Sequence, residues 1–380
     1  MIAVIAICLQ LAMVTNIPEY AQTQAAVETE TDVGTDSMDT LIDEISFSEI
    51  NQVLDQILDG QKINFQELVT ELVSGEFHLQ DAYESILEYL KQQISFNKKD
   101  MTYLLILSVS ASVFSVFTEI LKDKQIADTG FYMLYMMMCI VVFGAFREVV
   151  DCALQASENL VTFIKALVPA YSLSVSLATG PCTGAGFYQM TLILISLLSD
   201  VVNILIIPLV QAYVIVKILN YISEEDILSR MAGLFEGAVK WLLKTSLAVL
   251  VGFQVIQSML APAIDSFKNT SLNKVVSAIP GIGGAAGAVT EILIGSAVLL
   301  KNGIGTSAIL IILMICIPPV IKIAIFTLSY KVMAAAIQPV TDKRFTGCMA
   351  AAAEGGALIL KASSMIAAMF MLSIAIVGLT

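Results

Sequence analysis

Past residue 100 the sequence alternates between long apolar stretches and short polar breaks. Residues 101–118, 129–146, 245–264, 302–321 and 362–380 run for 18, 18, 20, 20 and 19 residues without a charged side chain. A helix needs about 20 apolar residues to cross a hydrocarbon layer roughly 30 Å thick, so each stretch predicts a membrane-spanning helix. Lys165 and Asp200 are separated by 34 uncharged residues. The string Gly180-Pro181-Cys182-Thr183-Gly184-Ala185-Gly186 interrupts them and predicts a turn between two apolar helices. Apolar character continues through Pro208, so 187–219 reads as one long kinked helix or as two short ones. Residues 275–300 add a segment rich in glycine and alanine. The expectation for 101–380 is a polytopic membrane domain of about eight spans, in a range of roughly seven to nine.

The first 100 residues follow a different pattern. Residues 2–14 are apolar and uncharged, and Thr23-Gln24-Ala25 offers a small-residue cleavage site, so 1–25 reads as a signal peptide or an uncleaved signal anchor. No basic residue precedes the apolar run. Residues 26–45 are acidic and poor in apolar side chains, and predict a disordered linker. From 46 to 95 a helical period appears three times. Ile50, Val53, Leu54, Ile57 and Leu58 follow the capping pair Ser46 and Glu49; Phe65, Leu68, Val69, Leu72 and Val73 follow Asn64 and Glu67; Tyr83, Ile86, Leu87, Leu90 and Ile94 form the third face. Three helices of this size have a marginal core of their own, so their apolar faces are expected to pack on the membrane surface or on another protein. Lys98 and Lys99 mark the headgroup region before the first span.

Charge separates the two parts. Residues 1–100 hold 18 Asp or Glu and 4 Lys or Arg, whereas 101–380 hold 15 and 16. With 57% hydrophobic and 14% charged residues, and a mean hydropathy of +0.83, the composition excludes a single soluble enzyme. It also lacks the basic footprint of a nucleic-acid binder. The positive-inside count around the first span is a tie, with Lys98 and Lys99 before it and Lys122 and Lys124 after. An export signal breaks the tie by placing 26–100 outside the cytoplasm. The 222–244 loop, with Arg230, Lys240 and Lys244, is then cytoplasmic if 187–219 crosses twice.

Five ionisable residues lie inside or beside apolar segments: Lys165, Asp200, Glu291, Lys322 and Lys361. Such groups mark pathways or buried pairs, or else snorkel to the interface. Asp200 carries most weight because its short side chain cannot reach far. Pro208, Pro318 and Pro319 are candidate helix breaks, as found in transporters. The string Ile279-Pro280-Gly281-Ile282-Gly283-Gly284-Ala285-Ala286-Gly287 imitates a dinucleotide fingerprint but lacks the βαβ context, and reads instead as close helix packing. Six cysteines without C-x-x-C spacing and the single His78 predict neither a zinc site nor a disulfide framework. No catalytic group, metal or cofactor is predicted.

Several strings, in order, resemble the stage III sporulation protein AE family of endospore-forming Firmicutes. They are Ser74-Gly75-Glu76-Phe77; Leu167-Val168-Pro169-Ala170-Tyr171 with Ala178-Thr179-Gly180; Leu299-Leu300-Lys301-Asn302-Gly303-Ile304-Gly305; Pro319-Val320-Ile321-Lys322-Ile323; and Ala334-Ala335-Ala336-Ile337-Gln338-Pro339 with Asp342. The resemblance covers about residues 45–378 and carries no catalytic residues. It implies an integral component of the stage III A complex that joins mother cell and forespore after engulfment. The protein would sit in the mother-cell membrane around the forespore, with its N-terminal segment extracytoplasmic. Its partners would be the other stage III A membrane proteins, the forespore-side complex and the bilayer. The subunit would be structural or channel-forming; an independent secondary transporter is the alternative. The expected fold is all-α, a membrane helix bundle with a small acidic helical N-terminal domain.

Overall fold

The computed structural model describes residues 47–58, 64–74, 124–222, 227–276, 283–339 and 341–379, with isolated helical positions between 102 and 113. The expected signal segment, acidic linker and third amphipathic helix lie outside the described residues, as does most of 101–118. The described residues are all-helical. Among the described residues, eight helices follow one another: α1 (Ser48–Ile57), α2 (Phe65–Ser74), α3 (Lys124–Ala178), α4 (Pro181–Asp200), α5 (Ile207–Ile222), α6 (Ser229–Val276), α7 (Gly283–Ile337) and α8 (Lys343–Leu379). A π-helical turn over Val201–Ile206 joins α4 to α5.

Helix α1 starts later than the capping pair at Ser46 and Glu49 predicts. Phe47 occupies the N-cap without a side-chain cap bond, because its ring is buried against Phe65 with centroids 5.6 Å apart. Asn64 does cap α2, accepting the Gln66 N–H at 3.1 Å. Asn51 of α1 accepts the Phe65 N–H at 2.8 Å and so joins the two short helices. Neither stands free: α1 packs on α3 and α2 on α7. Gly303 makes room for α2, since a Cβ there would lie 2.6 Å from Val73 Cγ2.

The remaining helices form five rods: α3, the α4–π–α5 unit, α6, α7 and α8. Helices α3 and α7 have 55 residues each and α6 has 48; at 1.5 Å per residue these are about 70 to 80 Å long. Segments that the apolar pattern separates are therefore joined. The 129–146 run and the 166–178 run lie on the one helix α3, because 147–165 keeps its apolar face buried and exposes its charges. Arg147 and Asp151, an i,i+4 ion pair, are 82% and 64% exposed. Likewise 187–219 is a continuous rod, with a π turn where Pro208 cannot donate a hydrogen bond to residue 204. The break expected at Pro318 and Pro319 is absent: α7 passes through both as helix. Each proline removes one internal hydrogen bond, and packing against α3 and α8 keeps the rod intact.

Facing residues fix the directions. Along α8, Phe345 packs on Phe131 of α3, Gly355 on Phe146 of α3 and Val214 of α5, Gly356 on Thr327 of α7, and the Ile374 carbonyl accepts from Tyr171 of α3. Helices α3, α6 and α8 therefore run one way and α5 and α7 the other, as short connections demand. Helix α8 takes its place through small residues. A Cβ on Gly355 would meet Val214 at 2.1 Å, and one on Gly356 would meet Thr327 at 2.7 Å.

Three charge-free runs come into register. Gln254, midway along 245–264, hydrogen-bonds Ser373 within 362–380. Tyr171 touches Gly305 of the 302–321 run and bonds to Ile374. Together they form a charge-free layer about 30 Å thick, while the 129–146 run of α3 and the apolar segment Val201–Ile222 lie beyond it. Since α7 runs opposite to α6 and α8, Lys244, Lys322 and Lys361 all border the same side, with Lys301 and Asp265 on the other. Among the described residues, five helices are long and apolar enough to cross a membrane.

Candidate functional site

The four ionisable candidates whose side chains are described, Lys165, Asp200, Lys322 and Lys361, are not gathered into one site. Lys165 is exposed on α3 and Lys361 on α8. Lys322 is half-buried on α7, within electrostatic reach of Cys152 on α3. Asp200 is exposed at the end of α4. The next residues, Val201 and Val202, line a small crevice with Leu243 and Ser246 of α6 and Ala362 and Met365 of α8. Asp200 thus belongs to the lysine border of the layer and not to its middle. The side chain of Glu291 lies outside the described residues.

What the tertiary structure does bring together is a different polar set. Tyr213 and Lys217, one turn apart on α5, meet Glu354 of α8. The Tyr213 hydroxyl donates to Glu354 Oε2 at 2.6 Å, Lys217 Nζ donates to the Tyr213 oxygen at 2.9 Å, and Lys217 also pairs directly with Glu354. The Lys217 side chain is 24% exposed and that of Glu354 is 45% exposed. The group adjoins the Val214–Gly355 contact, which holds the two backbones close enough for these side chains to reach. An acid with two donors from one neighbouring helix is satisfied and fixed in place, so the cluster sets the register of α5 on α8.

A second contact closes the opposite end. Asp265 of α6 is 2% exposed and caps the start of α4. It accepts the Cys182 N–H at 3.1 Å, the Thr183 N–H at 2.8 Å and the Thr183 hydroxyl at 2.7 Å. Gly180 makes the approach possible, with φ at +140° and with Asp265 Cγ only 2.5 Å from where its Cβ would be. Burial pushes the Asp265 carboxyl up, but the hydrogen bonds from Thr183 and Cys182 outweigh it and hold the group below the usual carboxylate range. The helix N-terminus adds favourable dipoles.

Sequence reasoning missed Lys217, Glu354 and Asp265. Their signal was present but unassignable. Lys217 ends the uncharged stretch 201–216, Glu354 interrupts an alanine–glycine run, and Asp265 follows 245–264. Their partners lie 137 and 82 positions away, beyond any local spacing rule.

Long apolar rods, small-residue contacts and polar ties between helices define a multi-pass helical membrane protein. A model of the family described as Stage III sporulation protein AE matches residues 63–380, and the chain belongs to that family. A curated relative, the stage III sporulation protein AE of Bacillus subtilis (strain 168), is 22% identical over 310 residues, which is 81% of this chain and 78% of that protein. No solved structure matches the chain. Two strings that carried the resemblance meet in the fold, where Gly305 lies against Tyr171.

Proposed function

We propose that the protein is an integral membrane component of the stage III A sporulation complex, acting as a structural or channel-forming subunit without chemistry of its own. The observation that carries this reading is the family match over residues 63–380 on a chain with five apolar rods. Its site is the mother-cell membrane around the forespore, and its partners are the other membrane proteins of that complex.

The arrangement of charge supports an orientation. Arg147, Lys217, Lys240, Lys331, Lys343 and Arg344 lie beyond the Lys244, Lys322 and Lys361 border, so the positive-inside tendency makes this side cytoplasmic. Helix α2 docks at Gly303, on the opposite side of the layer. That is consistent with an extracytoplasmic N-terminal segment, available to partners between the two membranes.

The test is deletion of the gene in an endospore-forming host that carries it. The expected outcome is forespores that are engulfed but fail to develop, restored by the intact gene. Refractile spores at normal yield would overturn the proposal.

A further inference from the structure

Cysteines are scattered along the chain without a local spacing that pairs any two, but the packing of α3 on α8 brings one pair together. Tyr135 of α3 meets Phe345 of α8 edge to face, with ring centroids 5.8 Å apart. Further along the same two helices Phe146 lies against Gly355. Cys139 follows Tyr135 by four residues and Cys348 follows Phe345 by three. Parallel helices in this register therefore set the two thiols opposite each other, about one turn beyond the aromatic contact. The thiols are in hydrogen-bond contact with each other and with the Tyr135 hydroxyl. Cys152 and Cys182 have other neighbours, Lys322 and Asp265.

The surroundings hold this pair in place. The Tyr135 hydroxyl donates to the Ile218 carbonyl of α5 at 2.9 Å, which leaves its oxygen as an acceptor for a thiol and ties the pair to a third helix. Both cysteines are free thiols. Sulfurs already in contact need side-chain rotation to bond, without movement of either backbone. Cys139 is 6% exposed and Cys348 is 0% exposed. A protein oxidant cannot reach sulfur so enclosed, whereas hydrogen peroxide is small and uncharged.

We propose that Cys139 and Cys348 form a redox modification site, oxidised by peroxide to a disulfide that ties α3 to α8. The sulfur of Cys139, the less enclosed of the two, attacks a peroxide oxygen, becomes a sulfenic acid and releases one water. The sulfur of Cys348 then displaces the hydroxyl, so that the S–S bond forms and a second water leaves. Two thiols give up two hydrogens and one peroxide becomes two waters. A cellular dithiol restores the pair by exchange and leaves as its own disulfide. The bond joins residues 209 positions apart, and closing so long a loop constrains the unfolded chain strongly. Arg344, one turn before Cys348, lies on the cytoplasmic side of the proposed orientation. Thiols are kept reduced there and disulfides are transient, so the resting state is the dithiol.

The experiment is peptide mass spectrometry of the full chain, purified in detergent and exposed to a hydrogen peroxide series. The series is carried to the dose at which Met133, 70% exposed, becomes its sulfoxide. Remaining thiols are alkylated under denaturing conditions before digestion. The expected result is a linked peptide pair containing Cys139 and Cys348, two hydrogens lighter than the separate peptides and abolished by dithiothreitol. Free thiol is lost from both positions in equal amounts. Full alkylation of both positions at the highest dose would overturn the proposal. So would Cys139 halted at the sulfinic acid with Cys348 still free, or either cysteine linked to Cys152, Cys182 or Cys316. Because the natural chain carries the test, no variant has to fold, and the outcome is independent of the complex to which the protein belongs.

Discussion

Glu354 shows how much one side chain depends on its setting. On its own it is an acid in a run of alanine and glycine; in the fold it receives Tyr213 and Lys217 from α5. Because the pair is only partly buried, solvent screening limits its worth. A double-mutant cycle with Glu354→Gln and Lys217→Met should give a coupling of about 1 kcal/mol in unfolding experiments in detergent; strictly additive single effects would remove the pair from the account. Asp265 offers a sign test. Its folded carboxyl titrates below the ordinary value, so its contribution is full above the unfolded pKa of about 3.9 and is lost as pH falls through the lower folded value. The stability advantage of the natural chain over Asp265→Asn should shrink on acidification from pH 5 toward pH 3, followed by the unfolding midpoint at each pH. An advantage unchanged over that range would count against the carboxylate cap.

Among the elements, α2 is the one whose place the local pattern could not assign. Its apolar stripe, Phe65, Val69 and Val73, predicts burial against something unspecified, and the fold supplies α7, with Gly303 opened for Val73. The pair Val73→Cys and Gly303→Cys should form an oxidised cross-link in the intact chain, seen as a mobility shift reversed by reductant. Each single substitution should give none. Absence of the cross-link in a chain that still inserts would place α2 elsewhere. The rods carry the complementary lesson. Pro208 coincides with a π turn, whereas Pro318 and Pro319 leave α7 unbroken, because long packed neighbours supply what two missing hydrogen bonds remove.

For the whole molecule, a bilayer placed on the three aligned charge-free runs can be tested directly. Trp241, the only tryptophan in the chain, is 64% exposed and lies three residues before Lys244 on α6. Tryptophan favours the headgroup level, so its fluorescence should be quenched more strongly by lipid brominated near the headgroup than by lipid brominated near the acyl-chain end. The reverse order would shift the layer along the rods.

The sequence by itself determined the membrane class, the all-helical fold, the turn at Gly180 and the amphipathic faces of α1 and α2, since each rests on composition or on a period shorter than two helical turns. Only the tertiary structure decided that 129–146 and 166–178 share one rod, that three distant charge-free runs lie at one depth, and that Glu354 and Asp265 have partners across the bundle. The physical reason is range. Hydrophobic period and turn chemistry act between neighbours in the chain, whereas register between rods comes from glycine contacts and polar ties that link residues 80 or more positions apart.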